Sequence, residues 1–221
     1  HEVDYIRNDV CIMALALDIL YKQGMTKMTV GANALHSFKS ICNNFSQLFP
    51  VLPLEVDADI RKSYKGGFTY LSPKYRETTT GRGLTLDVNS MYPAKMVQEW
   101  IPYSMPEPFE GKYKPDKLYP LFTQRLSCTF DIKPNKIPSI QLKNCASFMP
   151  NEYIESSKDE IVTLTLTNPD LELFFQQYDV NVIAYHGGWK FKRARGMFTD
   201  YINHWTEEKI KAKKEGNRPQ Y

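Results

Sequence analysis

The run Asp87-Val88-Asn89-Ser90-Met91-Tyr92-Pro93 gathers residue types that can act on phosphates. Asp87 closes the apolar stretch Leu84-Thr85-Leu86, a costly place for a carboxylate unless it binds something. A carboxylate at a strand end, pointing into a cleft, suits Mg²⁺ (or Mn²⁺), because hard cations take oxygen donors. The chain is expected to turn through Asn89-Ser90 into a short helix over residues 93–99. The amides of Asn89, Ser90, Met91 and Tyr92 would then point outward, where a triphosphate could sit on the positive helix end. Tyr92 would set a flat ring beside the sugar and exclude a 2′-hydroxyl by overlap. A plainer reading makes Asp87 and Ser90 helix caps, since both residue types cap well. At average residue usage, Asp-x-x-Ser-x-Tyr-Pro has odds of about one in a thousand in a chain of this length.

Two other groupings have chemical content. In Tyr64-Lys65-Gly66-Gly67 the glycines allow close backbone approach, the tyrosine can stack and the lysine can meet phosphate. On its own this tetrapeptide reads as a β-turn. Tyr5 and Asp9 lie four residues apart, on one face of a helix. There the carboxylate can hold a metal and the phenol can orient an attacking water.

In this order the segments resemble motifs of the family B DNA polymerases. Asp87 to Pro93 is similar to motif A, with Met91 where Leu is usual, a volume-conserving change. Tyr64 to Gly67 is similar to the Tyr-x-Gly-Gly motif between the exonuclease and polymerase domains. Tyr5-Ile6-Arg7-Asn8-Asp9 is similar to the third exonuclease motif. Further runs resemble the protein-primed branch: Phe109-Glu110-Gly111-Lys112-Tyr113, Asn151-Glu152-Tyr153, Asp170-Leu171-Glu172-Leu173, and Phe191-Lys192 through Phe198.

The resemblance implies a division of the chain. Residues 1–29 would be the end of a 3′–5′ exonuclease domain and 30–98 the first part of the palm. Residues 99–196 would be an insertion that binds the terminal protein, and 197–221 a helix leading to the fingers. It also implies roles in the parent enzyme. Asp87 would bind both catalytic metals, and Val88 one of them through its carbonyl. Ser90 would help with template or primer, and Tyr92 would contact the nucleotide sugar. Tyr64, Gly66 and Gly67 would touch the template strand, while Tyr5 and Asp9 would serve proofreading. Partners would be template and primer DNA, dNTP and the terminal protein, in the cytoplasm of a bacterial host. The second catalytic aspartate motif, the Lys-x-x-x-Asn-Ser-x-Tyr-Gly helix and the earlier exonuclease motifs do not occur in the sequence. The chain therefore reads as an internal fragment, inactive by itself.

The elements that must position these residues are legible from periodicity and breakers. Ile6, Val10, Met13, Leu17 and Leu20 repeat at helical steps over residues 5–23, and Gly24 ends the run. A second helix is expected over 32–42, with an extended connector at 49–53. Strands are expected at 68–71 and 84–88 around a turn at 78–81, the second short enough to be buried on both faces. Pro102, Pro106, Pro108, Pro115 and Pro120 predict loop. Residues 126–132 and 160–166 read as strands. Asn168-Pro169-Asp170 starts a helix through residue 178 with Asn168 as its cap. Residues 180–185 and 189–191 read as paired strands around Gly187-Gly188, and a last amphipathic helix begins near Thr199. The expected fold class is α+β: a partial palm with an exonuclease helix and an inserted α/β subdomain.

Composition bounds the rest. With 42% hydrophobic and 24% charged residues, wholesale disorder and low complexity are excluded. No apolar run approaches the roughly 18 residues of a membrane span. The His1-Glu2-Val3-Asp4 start does not resemble a signal peptide, and the spread cysteines (Cys11, Cys42, Cys128, Cys145) read as reduced thiols. Net charge is +3, but residues 187–221 carry nine Lys/Arg against four Asp/Glu, which leaves −2 for the remainder. That basic end suits a phosphate backbone or a solvated helix end equally well.

Glu152, Glu155, Asp159 and Glu160 form an acidic stretch, a candidate for terminal-protein docking. A non-catalytic module that docks terminal protein or DNA is the alternative function. A third reading is an unrelated nucleotidyltransferase that draws on Asp57 and Asp59. His36, His186 and His204 have no Gly-x-Ser-x-Gly partner and read as surface or packing histidines.

Overall fold

A computed structural model describes residues 2–141 and 153–216. Cys145, Asn151, Glu152 and Arg218 lie outside them. The fold is α+β, with its described residues in two units: 1–45 with 198–221, and 46–197.

In the first unit, α1 (Glu2–Lys22) stops where Gly24 turns to φ 82°. Gly24 N–H donates to Tyr21 C=O, and Met25 N–H to Leu20 C=O, so two terminal carbonyls are satisfied. No side chain of α1 is buried within the unit. Helix α2 (Val30–Ile41) begins earlier than periodicity suggested, because Thr29 caps Ala32 N–H and Gly31 falls in the first turn. The last helix, α7 (Thr199–Lys214), runs as expected. Phe38 of α2 is buried; it stacks on Phe198 at 4.8 Å and meets Tyr201 edge-on at 5.5 Å. The Trp205 indole N–H also donates to the Ser37 hydroxyl.

The second unit opens with α3 (Phe45–Leu48) and α4 (Leu54–Arg61), two short helices that the sequence pattern does not announce. The stretch between them, residues 49–53, has a bend at Phe49 and no regular secondary structure. The expected strands at 68–71 and 84–88 and the turn at 78–81 are absent. Between α4 and α5 (Met91–Gln98) the only regular piece among these residues is a 3-10 turn, Pro73–Tyr75. A strand exists through its ladder, and residues 84–88 pair with no described segment. Leu84 and Leu86 consequently stand 84% and 83% exposed, the reverse of the expected burial.

Beyond α5 the chain builds an antiparallel sheet of β1 (Ile101–Phe109), β2 (Leu121–Ile132), β3 (Val162–Thr167) and β4 (Tyr178–Ala194), in the order β1-β4-β2-β3. The proline-rich loop is here partly a strand. Pro102, Pro106 and Pro108 lie in β1, an edge strand whose outward amides need no partner. The two short strands expected around Gly187-Gly188 are one continuous β4, which passes between β1 and β2. Glycine is required there by contact as well as by torsion. A Cβ on Gly187 would lie 2.1 Å from Phe109 O, and one on Gly188 only 1.9 Å from Thr123 O.

Helix α6 (Asn168–Gln177) is capped by Thr167, whose hydroxyl accepts from Asp170 N–H; Asn168 is its first residue and not its cap. Its Phe174 packs with Leu126, Cys128, Phe130, Leu164, Leu166 and Tyr178 to form the core. Alternation along β2 and β3 puts these apolar side chains on the α6 face. Arg125, Ser127, Thr163 and Thr165 fall on the other. The Trp189 indole N–H donates to the Asp59 carboxylate at 2.8 Å, which ties α4 to β4.

Candidate active-site segment and nucleic-acid interface

The chain enters α5 through Asn89 and Ser90. Ser90 is forced into the left-handed region at φ 53°, and its side chain makes no capping hydrogen bond. The first intrahelical bond of this turn runs from Ala94 N–H to Ser90 C=O at 3.0 Å. Pro93, which has no N–H to leave unpaired, therefore fits in the first turn without loss. The plainer reading of Ser90 as a side-chain cap is thus not what this structure has. Asp87 is exposed and makes no hydrogen bond or ion pair among the described residues. It is a bare carboxylate next to a helix start whose amides are uncapped by side chains. Tyr92 is 74% exposed beside it, and Val88 67%.

Asp87 and the Val88 carbonyl are hard oxygen donors of the kind Mg²⁺ takes, so their chemistry fits one side of a metal site. No group of three or more potential metal-ligating side chains occurs among the described residues. A complete six-coordinate shell would have to draw on further donors.

Tyr64 is 71% exposed. A Cβ placed on Gly66 or Gly67 would meet nothing within 4 Å, so the space the glycines leave is open to an outside partner. Lys65 is already engaged: its ammonium reaches the Asp170 carboxylate at 3.2 Å and Ser139 C=O at 3.3 Å. The sequence gives no hint of this ion pair, whose members are about a hundred residues apart. It fixes the glycine motif to the first turn of α6. Tyr5 and Asp9 share a face of α1, where both are exposed, and Tyr5 is 65% so.

The rival carboxylates have other occupations. Asp57 pairs with Arg61 at 2.5 Å. Asp59 accepts from Lys62 at 2.8 Å and from Trp189, and these donors hold its carboxyl below the usual range. Both sit on α4 as structural partners. His186 is within 2.7 Å of the Ser127 hydroxyl, which also meets Thr163, and His204 lies edge-on to Trp205. His36, His186 and His204 are all exposed, as surface histidines. Lys211, Lys213 and Lys214 close the last turn of α7, where cations offset the helix dipole. Tyr153 lies 4.7 Å from the Phe68 ring, and Tyr178 is buried at 1% exposure.

The chain belongs to the family described as DNA polymerase type B, organellar and viral, whose model matches residues 1–221. More particularly, it is similar to phage DNA polymerases. It is 44% identical to that of Bacillus phage Nf over 221 residues, covering 99% of this chain and 38% of the relative. Identity is again 44% with the enzyme of Bacillus phage phi29, covering 97% of this chain and 37% of the relative. With that of Streptococcus phage Cp-1 it is 33%, covering 95% and 39%.

Among solved structures, Phi29 DNA polymerase complexed with primer-template DNA superposes with a TM-score of 0.87 at 45% identity, covering 95% of this chain and 37% of that one. Its ternary complex with incoming nucleotide substrates gives 0.83 at 45% identity, covering 94% and 37%. The chain spans a little over a third of the length of these relatives. No helix among the described residues is long and apolar enough to cross a membrane.

Proposed function

We propose that this chain is the motif A-bearing part of a protein-primed phage DNA polymerase, acting on primer-template DNA and dNTP in the host cytoplasm. The observation that carries this is the Asp87 to Pro93 segment, an unpartnered carboxylate at the mouth of α5 in a chain that the family matches from end to end. In this reading Asp87 and the Val88 carbonyl hold divalent metal. Such an ion polarises the attacking and leaving oxygens of nucleotidyl transfer. The amides of Asn89, Ser90, Met91 and Tyr92 receive the triphosphate, and the Tyr92 ring lies against the sugar. Tyr64, Gly66 and Gly67 admit the template strand, and Lys65 holds that turn in place through Asp170. Tyr5 and Asp9 contribute to a 3′–5′ exonuclease site.

The division at residues 29, 98 and 196 belongs to the same proposal, with 99–196 as the terminal-protein surface. The greater length of the relatives supports a source for the missing metal donors. It equally supports a partner for the bare 84–88 segment and for the uncovered apolar side chains of α1.

The test is Mg²⁺-dependent primer extension by the full-length polymerase, wild type beside Asp87→Asn. Extension is expected in the wild type and a loss of at least a thousandfold in the variant. Extension that survives the substitution would remove Asp87 from the metal site and leave docking as the account of this segment. Residues 1–221 alone are expected not to extend a primer, because one carboxylate holds a two-metal site poorly.

A further inference from the structure

The two faces of the β4 end are treated differently. On one, Lys190 is neutralised by Asp116 at 2.8 Å and lies near Glu107 at 3.6 Å, over the Tyr119 ring. On the other, Arg193 and Arg195 project two residues apart, and Pro102 pairs with Arg193 in the ladder. Both guanidiniums lie against one indole: Trp100, at 4.4 Å from Arg193 and 4.6 Å from Arg195. Neither arginine has an ion pair or hydrogen bond among the described residues, and both are exposed. The carboxylate that senses Arg195 is Glu99, and it is already bound to Lys95 at 2.6 Å.

Two like charges gathered at one ring repel each other. Stacking on Trp100 nevertheless holds them in place with their N–H forks free. An oxyanion that accepts from both forks relieves the repulsion at little ordering cost.

We propose that Trp100, Arg193 and Arg195 form a clamp for one backbone phosphate of the bound primer-template DNA. This rests on the polymerase reading above and extends it to a positioning site outside motif A, the Tyr-x-Gly-Gly segment and the exonuclease segment. Trp100 follows α5 by two residues, and α5 rises about 12 Å over its length from the Asp87 end. A protein acidic enough to fill the clamp is the competing partner.

The experiment is equilibrium binding of primer-template DNA to the full-length polymerase as a function of salt. The variants are Arg193→Ala/Arg195→Ala and Arg193→Lys/Arg195→Lys, each checked for wild-type melting. Losing one phosphate contact lowers the slope of log K against log salt by about 0.9. The alanine pair is expected to show that drop and roughly tenfold weaker binding at low salt.

A single methylphosphonate walked along each strand is expected to weaken wild-type binding at one position. That position should lose its effect in the alanine pair and keep only a weaker one in the lysine pair, because lysine keeps the charge but not the fork. Wild-type slope and affinity in the alanine pair, with no such position, would overturn the clamp and point to an acidic protein surface. Failure of the wild type to bind DNA at all would instead overturn the polymerase reading.

Discussion

Tyr178→Phe isolates a single oxygen at the centre of the second unit. The Tyr178 hydroxyl accepts from Ser139 N–H at 2.8 Å and from Ile140 N–H at 3.3 Å, and donates to Ile154 C=O at 2.9 Å. One donor and two acceptor sites are thus all used. The residue is 1% exposed, and its ring meets Phe130 and Phe174 at 5.2 Å each. Phenylalanine keeps the ring and those contacts, so the change removes hydrogen bonds and almost no volume. It leaves two backbone N–H groups and one carbonyl without their partner, and each such buried group costs about 1–3 kcal/mol. The longer bond to Ile140 contributes least, so the two shorter ones set the sum at about 2–6 kcal/mol. With a urea dependence of about 2 kcal/mol per molar, the unfolding midpoint should fall by roughly 1–3 M. Unfolding followed by near-ultraviolet circular dichroism reads the aromatic core directly. A midpoint within about 0.2 M of wild type, at unchanged slope, would refute the claim that this hydroxyl joins the 139–140 and 154 segments to β4.

Two further outcomes are expected. Gly188→Ala should destabilise the sheet by more than about 3 kcal/mol, because its Cβ would lie 1.9 Å from Thr123 O; a melt within about 1 °C of wild type would contradict that packing. Burial pushes the Cys128 thiol up to about 11. The folded state therefore keeps its proton where the unfolded chain has lost it. Stability is full below the unfolded thiol value near 9 and falls as pH rises towards 11, and Cys128→Ala should flatten that part of the pH profile in urea titrations.

Elements with a local cause are legible in the sequence. Apolar repeats and Gly24 define α1, the turn into α5 follows from Asn89-Ser90, and Pro169 in a first turn marks α6. What the sequence hides depends on partners far along the chain. Leu84 to Val88 has strand composition but no ladder among the described residues, so composition alone misleads. Pro102, Pro106 and Pro108 look like loop until the position of β1 at a sheet edge is known. Gly187-Gly188 looks like a turn until β1 and β2 are seen pressing on it from both sides. In the candidate site, Asp87 and Tyr92 are exposed, and the strand that residue types suggested before Asp87 does not form. The Lys65–Asp170 pair and the arginines at Trp100 need three dimensions, since neither spacing nor residue type links their members.

The position of β1 also has a consequence in time. As the chain emerges from a ribosome, β1 is complete at residue 109, but its ladder partner on β4 begins only at residue 188. At roughly 5–20 residues per second, β1 waits about 4–16 s with its pairing edge open. Nascent chains on one message carry identical waiting strands, the circumstance in which edges join wrongly. Three prolines in nine residues deny such a strand several of the amides that an intruding neighbour would use. The prolines therefore close the outer edge of the strand during synthesis as well as ending the sheet once it has formed, and leave the inner edge for β4.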